Sequence, residues 1–241
     1  MYAKYELMEP HIEHMKQAWD DRQSRMGLTK RAVLFKRFPD WLNESIHRRH
    51  MDFVLQNISP HTRWLLDVGC GYGRISKEIK RKYPEIEFQG IDLCTEFAVA
   101  YRREIGPCFN GPIQDFSTSK RFDAIIIVTC LMYLDAKEHE PTLERLWSML
   151  SVGGRLVCIE PAMEILQLWR RLTGRAYASP TGDSVYHFAQ SELKARCCRL
   201  AGASLQAMTS ISFMSFLPVI ALHHAIAVKK SVNRARPQRI E

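Results

Sequence analysis

Apolar and polar positions follow two different spacings along this chain. Within residues 1–60 the spacing is helical, with one helix predicted over Glu13–Met26 and an apolar stripe along Asn43–Ile58. Asn43 is a residue type that caps helices, so the second helix is expected to begin there. No strand pattern precedes Trp64, and this region is therefore predicted to be a helical cap.

From Trp64 onward, short apolar runs alternate with segments of helical spacing. This alternation is typical of a doubly wound parallel sheet with helices on both faces. Residues 161–188 show neither pattern and are expected to be irregular. Strands are predicted at 64–68, 86–91, 122–128 and 154–159, with a shorter one near 109–114, helices at 74–82, 95–104, 137–150 and 190–200, and two final strands at 204–213 and 219–228.

The composition limits the classes of protein to which the chain can belong. A chain of 241 residues is large enough for one α/β domain and short for two. Its formal net charge of +8 indicates an acidic partner, unless the excess is spread over solvated faces and the basic tail at 229–239. The seven cysteines include no C-x-x-C pair and their number is odd, which favours a reducing, cytoplasmic compartment.

Neither an export signal nor a membrane span is expected. The N-terminal residues mix acids with histidines and lack the apolar stretch of a secretory signal. The most apolar stretch, Phe213–Val228, is 16 residues long and contains Pro218, which makes it too short and too interrupted to span a bilayer.

The most informative motif is a glycine-rich turn after the first predicted strand. Asp67 lies next to the last residue of that strand, and Gly69, Gly71 and Gly73 follow at alternate positions. Glycines are needed where the backbone must approach a ligand closely. A nicotinamide-type fingerprint needs its third glycine three places after the second, where this chain has Arg74. The motif instead resembles the first signature of class I S-adenosylmethionine-dependent methyltransferases.

A second acid supports this resemblance. Asp92 ends the next predicted strand, 21 positions after Gly71. An ionised carboxylate at this place can accept hydrogen bonds from both hydroxyls of a ribose. The alternative is that Asp92 caps the helix predicted at 95–104. The resemblance covers residues 64–160 closely and residues 190–230 less closely.

The resemblance implies a fold and a cofactor. The expected fold is α/β, a Rossmann-like seven-stranded, mostly parallel sheet with helices on both faces, whose last two strands form an antiparallel hairpin. The expected cofactor is S-adenosylmethionine, which leaves as S-adenosylhomocysteine, and no metal is expected. An acid after the third strand commonly binds the adenine amine, and the residues after the fourth strand line the sulfonium pocket. The cofactor residues expected are Asp67, Gly69, Cys70, Gly71, Asp92, Leu93, Gln114, Asp115, Phe116, Thr129 and Cys130.

The catalytic residues are less well defined by the sequence. Glu160 follows the fifth strand at the carboxyl edge of the sheet, where open α/β folds place their sites. Tyr133 and His187 are the other candidates for contact with the acceptor, although Tyr133 also fits a core position. His223, His224 and the histidines of the cap remain open alternatives as general bases. Guanidinium groups bind phosphate or carboxylate, so a cluster in the irregular region predicts an anionic substrate: Arg170, Arg171 and Arg175.

The sequence therefore predicts a methyltransferase that acts on an oxygen or nitrogen atom of a small molecule, a metabolite or glycan. The alternatives are a tRNA or rRNA methyltransferase and a protein of this fold that does not methylate. The segment TCLMYL lacks the Asn/Asp-Pro-Pro-aromatic tetrad of many nucleic-acid enzymes, which makes nucleic acid the less favoured substrate. A monomer or a homodimer is expected. The predicted division is a helical cap at 1–60, a cofactor-binding domain at 61–230 and a basic tail at 231–241.

Overall fold

A seven-stranded sheet forms the centre of the part of the chain that the structure describes. The structure is a computed structural model, and it describes residues 9–36, 38–174, 185–214 and 217–231. The strands are β1 (Trp64–Val68), β2 (Glu87–Asp92), β3 (Cys108–Asn110), β4 (Phe122–Val128), β5 (Leu150–Pro161), β6 (Ala203–Met214) and β7 (Leu217–Lys230). Their order across the sheet is β3-β2-β1-β4-β5-β7-β6.

The described helices cover the sheet and its carboxyl edge. They are α1 (Glu9–Met26), α2 (Lys30–Val33), α3 (Asp40–Asn57), α4 (Ser76–Lys82), α5 (Thr95–Glu104), α6 (His139–Met149), α7 (Met163–Thr173) and α8 (Gln190–Cys198). Short 3-10 turns lie at 113–115, 131–133 and 136–138. None of the helices within the described ranges combines the length with the apolar character that a membrane span requires.

The central strands are apolar on both faces because helices cover both faces of the sheet. Leu65 and Leu66, neighbours on β1, point to opposite sides and join two separate core clusters, and both are fully buried. β1 pairs in parallel with β2 and β4, whereas β7 pairs antiparallel with both β5 and β6. The predicted fold class, including the final antiparallel hairpin, is confirmed.

Two local predictions are wrong. The helix predicted to begin at Asn43 begins three residues earlier, after Pro39, whose fixed φ suits the position before a helix. Asn43 lies within α3, and its side chain forms two hydrogen bonds with the backbone of Phe35. Its Oδ1 accepts the N–H of Phe35 at 3.1 Å, and its Nδ2 donates to the carbonyl oxygen of Phe35 at 3.0 Å. Asn43 therefore fixes the preceding loop and does not cap α3.

The region predicted to be irregular contains α7, which ends at Gly174 in the left-handed conformation. Residue Glu164 of this helix contacts His224 of β7 at 3.0 Å (Oε2 to Nε2). The spacing of apolar and polar residues could not predict this contact, because β7 is distant from α7 in the sequence. Residues 175–184, which include Arg175, lie outside the described residues, as does nearly all of the predicted basic tail.

Helix α1 packs over the carboxyl edge of the sheet, whereas α3 packs against β5 and β6. Asp20 of α1 accepts a hydrogen bond from the backbone N–H of Thr95 at 3.0 Å. Trp19 of the same helix packs against Phe97 of α5, with 6.5 Å between ring centroids. These contacts place α1 above the ends of the strands, where the candidate site lies.

Candidate functional site

A cavity of about 260 Å³ lies at the carboxyl ends of β1, β2 and β4. Strand order reverses between β1 and β4, and open α/β sheets form their ligand crevices at such a point. The walls come from the turn after β1, the ends of β2 and β4, the segment after β3, and helices α1 and α2. We call this space the main cavity.

The glycine-rich turn forms the floor of the main cavity. Gly69 and Gly71 both have a positive φ, of 67° and 54°. A Cβ atom on Gly69 would lie 2.7 Å from the sulfur of Cys130, so any larger residue here would displace the segment after β4. The bare backbone therefore meets the opposite wall at a distance that side chains could not allow.

Asp92 joins the glycine-rich turn to the end of β2. Its Oδ2 accepts the N–H of Gly71 at 2.6 Å and its Oδ1 accepts the N–H of Cys94 at 2.9 Å. Burial raises the pKa of Asp92 to about 6, and the two amides act against this rise. A carboxylate has about four sites for accepting hydrogen bonds. Asp92 lines the main cavity and keeps acceptor capacity for a ligand with hydroxyl donors.

Asp67 lies behind the same turn in a chain of hydrogen bonds. Ser76 donates to Oδ2 of Asp67 at 2.6 Å, and Tyr101 donates to the Ser76 hydroxyl at 3.0 Å. Burial raises the pKa of Asp67 to about 7. Asp67 borders the main cavity, and its paired oxygen holds the start of α4 against β1.

Glu160 supports the segment after β4 from behind. Its Oε1 accepts the N–H groups of Cys130 at 3.1 Å and Leu131 at 2.8 Å, and its Oε2 accepts that of Met132 at 3.2 Å. The side chain is fully buried, and burial raises its pKa to about 8. Glu160 is not among the residues that line the main cavity. Its carboxyl group is directed at backbone N–H groups and holds the cavity wall in place.

The residue before this segment has an unusual backbone. Thr129 has a φ of 56°, which a β-branched residue rarely adopts. Its N–H donates to the carbonyl of Ile159 at 2.7 Å, so the adjacent strand helps to hold this conformation. Strained residues cluster at functional sites, and Thr129 borders both the main cavity and the pocket beside it.

Of the residues predicted to contact adenine, only one lines the main cavity. Gln114 lines the main cavity, together with Ile113 and Pro112, which the sequence analysis missed. Asp115 is exposed outside that lining, and Phe116 is buried against Phe109 with 5.6 Å between ring centroids. The cause is the 3-10 turn at 113–115, which directs consecutive side chains to different sides.

A second pocket of about 50 Å³ adjoins the main cavity. Val33, Thr129 and Tyr133 line both spaces. Tyr133 packs edge-on against Trp19 with 5.2 Å between ring centroids. The remaining walls of this second pocket are mostly apolar and include two histidines: Leu34, Phe35, Met132, Pro161, His187, Leu222 and His223.

Both histidines of the second pocket are buried and neutral. Burial lowers the pKa of His187, whose Nδ1 lies 3.2 Å from the carbonyl oxygen of Val185. Burial and the positive charge of Arg74 lower the pKa of His223 to about 3. A neutral imidazole can accept a proton or a hydrogen bond.

The predicted site residues divide into two groups. The structure brings together around the main cavity Asp67, Gly69, Cys70, Gly71, Asp92, Leu93, Gln114, Thr129, Cys130 and Tyr133. Asp115, Phe116 and Glu160 lie outside its lining, and His187 lies in the second pocket. Arg170 and Arg171 are exposed on α7 and line neither space. Arg74, which stands where a nicotinamide-type fingerprint would have its third glycine, also lines the main cavity and was not among the predicted site residues.

Residues 65–154 match a sequence family described as a methyltransferase domain. Nodulation protein S of Bradyrhizobium diazoefficiens is 33% identical over 93 residues, which are 38% of this chain and 43% of that protein. The matched part of this chain thus spans about two fifths of the length of the curated relatives it resembles.

Solved structures share the fold at low sequence identity. The magnesium protoporphyrin IX methyltransferase of Synechocystis PCC 6803, solved with bound S-adenosylhomocysteine, has a TM-score of 0.65 at 12% identity and covers 92% of this chain and 100% of its own. A plantazolicin methyltransferase solved with a substrate analogue and S-adenosylhomocysteine has a TM-score of 0.64 at 15% identity, with coverage of 93% and 99%. The resemblance to class I methyltransferases is confirmed.

Proposed function

We propose that this chain, which carries a class I S-adenosylmethionine-dependent methyltransferase domain, transfers a methyl group to an oxygen or nitrogen atom of a small molecule. One observation carries the proposal. The glycine-rich turn, Asp92 and the segment after β4 line a single cavity, and that cavity adjoins an apolar pocket containing two histidines.

The residues of the main cavity fit the cofactor. The backbone at Gly69, where a Cβ would collide with Cys130, and at Gly71, where a Cβ would lie 3.2 Å from Val33, would hold the methionyl part. Asp92 would accept the ribose hydroxyls, and Leu93 with Ile113 and Gln114 would contact the adenine. When bound, the cofactor supplies a methyl group on a positively charged sulfur and leaves as a neutral thioether.

The second pocket would hold the acceptor. Its apolar walls would exclude water and orient the nucleophile, and orientation of this kind contributes about 7–11 kcal/mol to such reactions. Tyr133 lies where the two spaces meet, so its hydroxyl is our candidate for contact with the reacting group. His187 is the candidate to accept the acceptor's proton, since its lowered pKa keeps it neutral at pH 7.

Three finer proposals accompany this function. The acceptor is anionic if the basic residues of α7 and of the following segment contact it. The helices of residues 1–60 act as a cap that closes over residues 61–230, because side chains of α1 and α2 line the main cavity. The protein works in the cytoplasm, in keeping with its seven unpaired cysteines.

Calorimetry with S-adenosylhomocysteine tests the cofactor site. Asp92→Asn should weaken binding at least tenfold, because the amide loses the charge and part of the acceptor capacity. Asp123→Asn is a matched control, since Asp123 also accepts two backbone N–H groups, those of Arg63 and Trp64, at the opposite edge of the sheet. Equal affinities in both variants and the unmodified protein would contradict the ribose assignment.

The acceptor is then sought by incubating the protein with S-adenosylmethionine and metabolite pools and screening for a mass gain of one methylene. Transfer RNA is included in a separate reaction. Methylation of the RNA alone would overturn the small-molecule proposal, and cofactor binding with no transfer to any acceptor would favour a non-methylating role.

A further inference from the structure

Arg74 is a buried cation in the wall of the main cavity. It directly follows the glycine-rich turn and is only 7% exposed. The other cationic side chain of the lining, Lys137, is two-thirds exposed and pairs with Asp135 at 3.3 Å. Among the described residues, no carboxylate forms an ion pair with Arg74, and its guanidinium contacts the side chains of two histidines.

These histidines come from α3 and lie one turn apart. Nη1 of Arg74 lies 2.9 Å from Nδ1 of His47, and Nη2 lies 3.5 Å from Nδ1 of His50. An arginine can only donate, so both Nδ1 atoms accept and the ring protons are on Nε2. The ring of His223 lies edge-on to that of His50, with 4.7 Å between centroids.

The cluster holds one positive charge. Burial, together with the charge of Arg74, lowers the pKa of His47 to about 4 and also lowers that of His50. Burial lowers the pKa of Arg74 only to about 10, so the guanidinium stays protonated at pH 7. Neutral imidazoles satisfy some of its donors without neutralising its charge, and the carboxyl group of Asp67 acts on it only from beyond ion-pair distance. A buried charge without a directly paired counter-ion is costly.

We propose that Arg74 binds the α-carboxylate of the methionyl part of the cofactor and that His47 and His50 position its guanidinium for this contact. The proposal rests on the proposed function. S-adenosylmethionine has one anionic group, at the end of the molecule opposite the adenosine. Arg74 adjoins the glycine-rich turn assigned to that end, and a guanidinium matches a carboxylate with two parallel hydrogen bonds.

An anionic acceptor is the other source of a carboxylate. Arg74 lines the main cavity and is absent from the lining of the second pocket, where the acceptor is placed. This placement favours the cofactor, and two ligands can separate the sources. 5′-Methylthioadenosine has the adenosine and the thioether of S-adenosylhomocysteine but lacks the amino acid.

Calorimetry with both ligands tests the proposal. Arg74→Met should weaken S-adenosylhomocysteine binding about 10–100-fold, the loss of a charge-assisted pair, and change 5′-methylthioadenosine binding less than about twofold. Arg74→Lys keeps the positive charge but loses the two parallel N–H donors of the guanidinium. It should therefore weaken S-adenosylhomocysteine binding less than Arg74→Met does, and leave 5′-methylthioadenosine binding unchanged. His47→Gln leaves the guanidinium in place but removes one group that positions it. This variant should also weaken binding of S-adenosylhomocysteine and not of 5′-methylthioadenosine.

Asp92→Asn is the control for the adenosine end and should weaken both ligands. Unchanged S-adenosylhomocysteine affinity in Arg74→Met, or equal losses for both ligands, would overturn the assignment. If a thermal melt shows that Arg74→Met is not folded, the same comparison of the two ligand affinities is made with Arg74→Lys. Failure of the unmodified protein to bind S-adenosylhomocysteine would instead refute the proposed function.

Discussion

Replacement of Glu160 by glutamine distinguishes two roles for this residue. The sequence makes Glu160 a catalytic candidate, whereas the structure directs its two oxygens to three backbone N–H groups of residues 130–132. Both oxygens of Glu160 can accept a hydrogen bond even when the carboxyl group is protonated, whereas a glutamine side chain retains one oxygen and presents an NH₂ group in place of the other. Met132 N–H, 3.2 Å from Oε2, would then face a donor or lose its partner.

The magnitude follows from this single mismatch. A buried donor without a partner costs about 1–3 kcal/mol. For a chain of this size, that loss lowers the melting temperature by roughly 2–12 °C. The wall of the main cavity would also become less ordered, so S-adenosylhomocysteine affinity should fall with stability.

Denaturant unfolding and calorimetry measure both effects. Glu78→Gln is the control, because Glu78 forms a surface pair with Arg81 and such pairs contribute at most about 1 kcal/mol. Glu160→Gln with normal stability and normal cofactor affinity but no turnover of the identified acceptor would refute the positioning role. That result would restore Glu160 as a catalytic residue.

Other predictions concern pH, the glycine-rich turn and the surface arginines. Between about pH 7.5 and 8.5, where unfolded histidines with their usual pKa of 6.5 are mostly neutral, stability should fall as pH rises. Glu160 and Asp67 have folded-state pKa values of about 8 and 7, above those of free carboxyls, so the folded state binds more protons than the unfolded state in this range. The decline of the melting temperature should be smaller in Glu160→Gln, and a rise in stability would contradict the reasoning. Gly73→Ala should cost more than about 2 kcal/mol in urea unfolding, since its Cβ would collide with Cδ1 of Ile105 in addition to the strain of a positive φ, whereas Gly153→Ala, with a similar φ and open space, should cost only the strain of about 1–2 kcal/mol. Equal losses in these two variants would mean that the collision with Ile105 is relieved without cost. Arg170→Gln with Arg171→Gln should leave S-adenosylhomocysteine affinity unchanged by calorimetry, because both side chains are exposed away from the main cavity, and a tenfold loss would show that α7 reaches the cofactor.

Most of the fold could be predicted from the local pattern of apolar and polar residues. Apolar runs flanked by turn residues predict both ends of β1 and β4 correctly, because a strand buried on both faces is apolar at nearly every position. The start of α3 was mispredicted because Pro39 and Asn43 are both plausible at a helix start, and only the packing of Asn43 against Phe35 distinguishes them.

The proximity of the candidate cofactor residues near the strand ends could be expected for a similar reason. Gly69 and Gly71 lie in the turn after β1 and Asp92 is the last residue of β2, so the parallel pairing of these strands brings all three to one edge of the sheet. Asp115 and Phe116 could not be placed in this way, because a 3-10 turn after β3 decides which side chain faces the cavity.

The sequence by itself determined the alternating elements, the glycine-rich turn and the acid one strand away, since each depends on residues close together in the chain. Only the tertiary structure decided that Glu160 supports residues 130–132 and that His47 and His50 hold Arg74. These contacts join segments about 24 to 30 residues apart. Their geometry depends on how α3 and β5 pack against the rest of the molecule, and no local spacing encodes that packing.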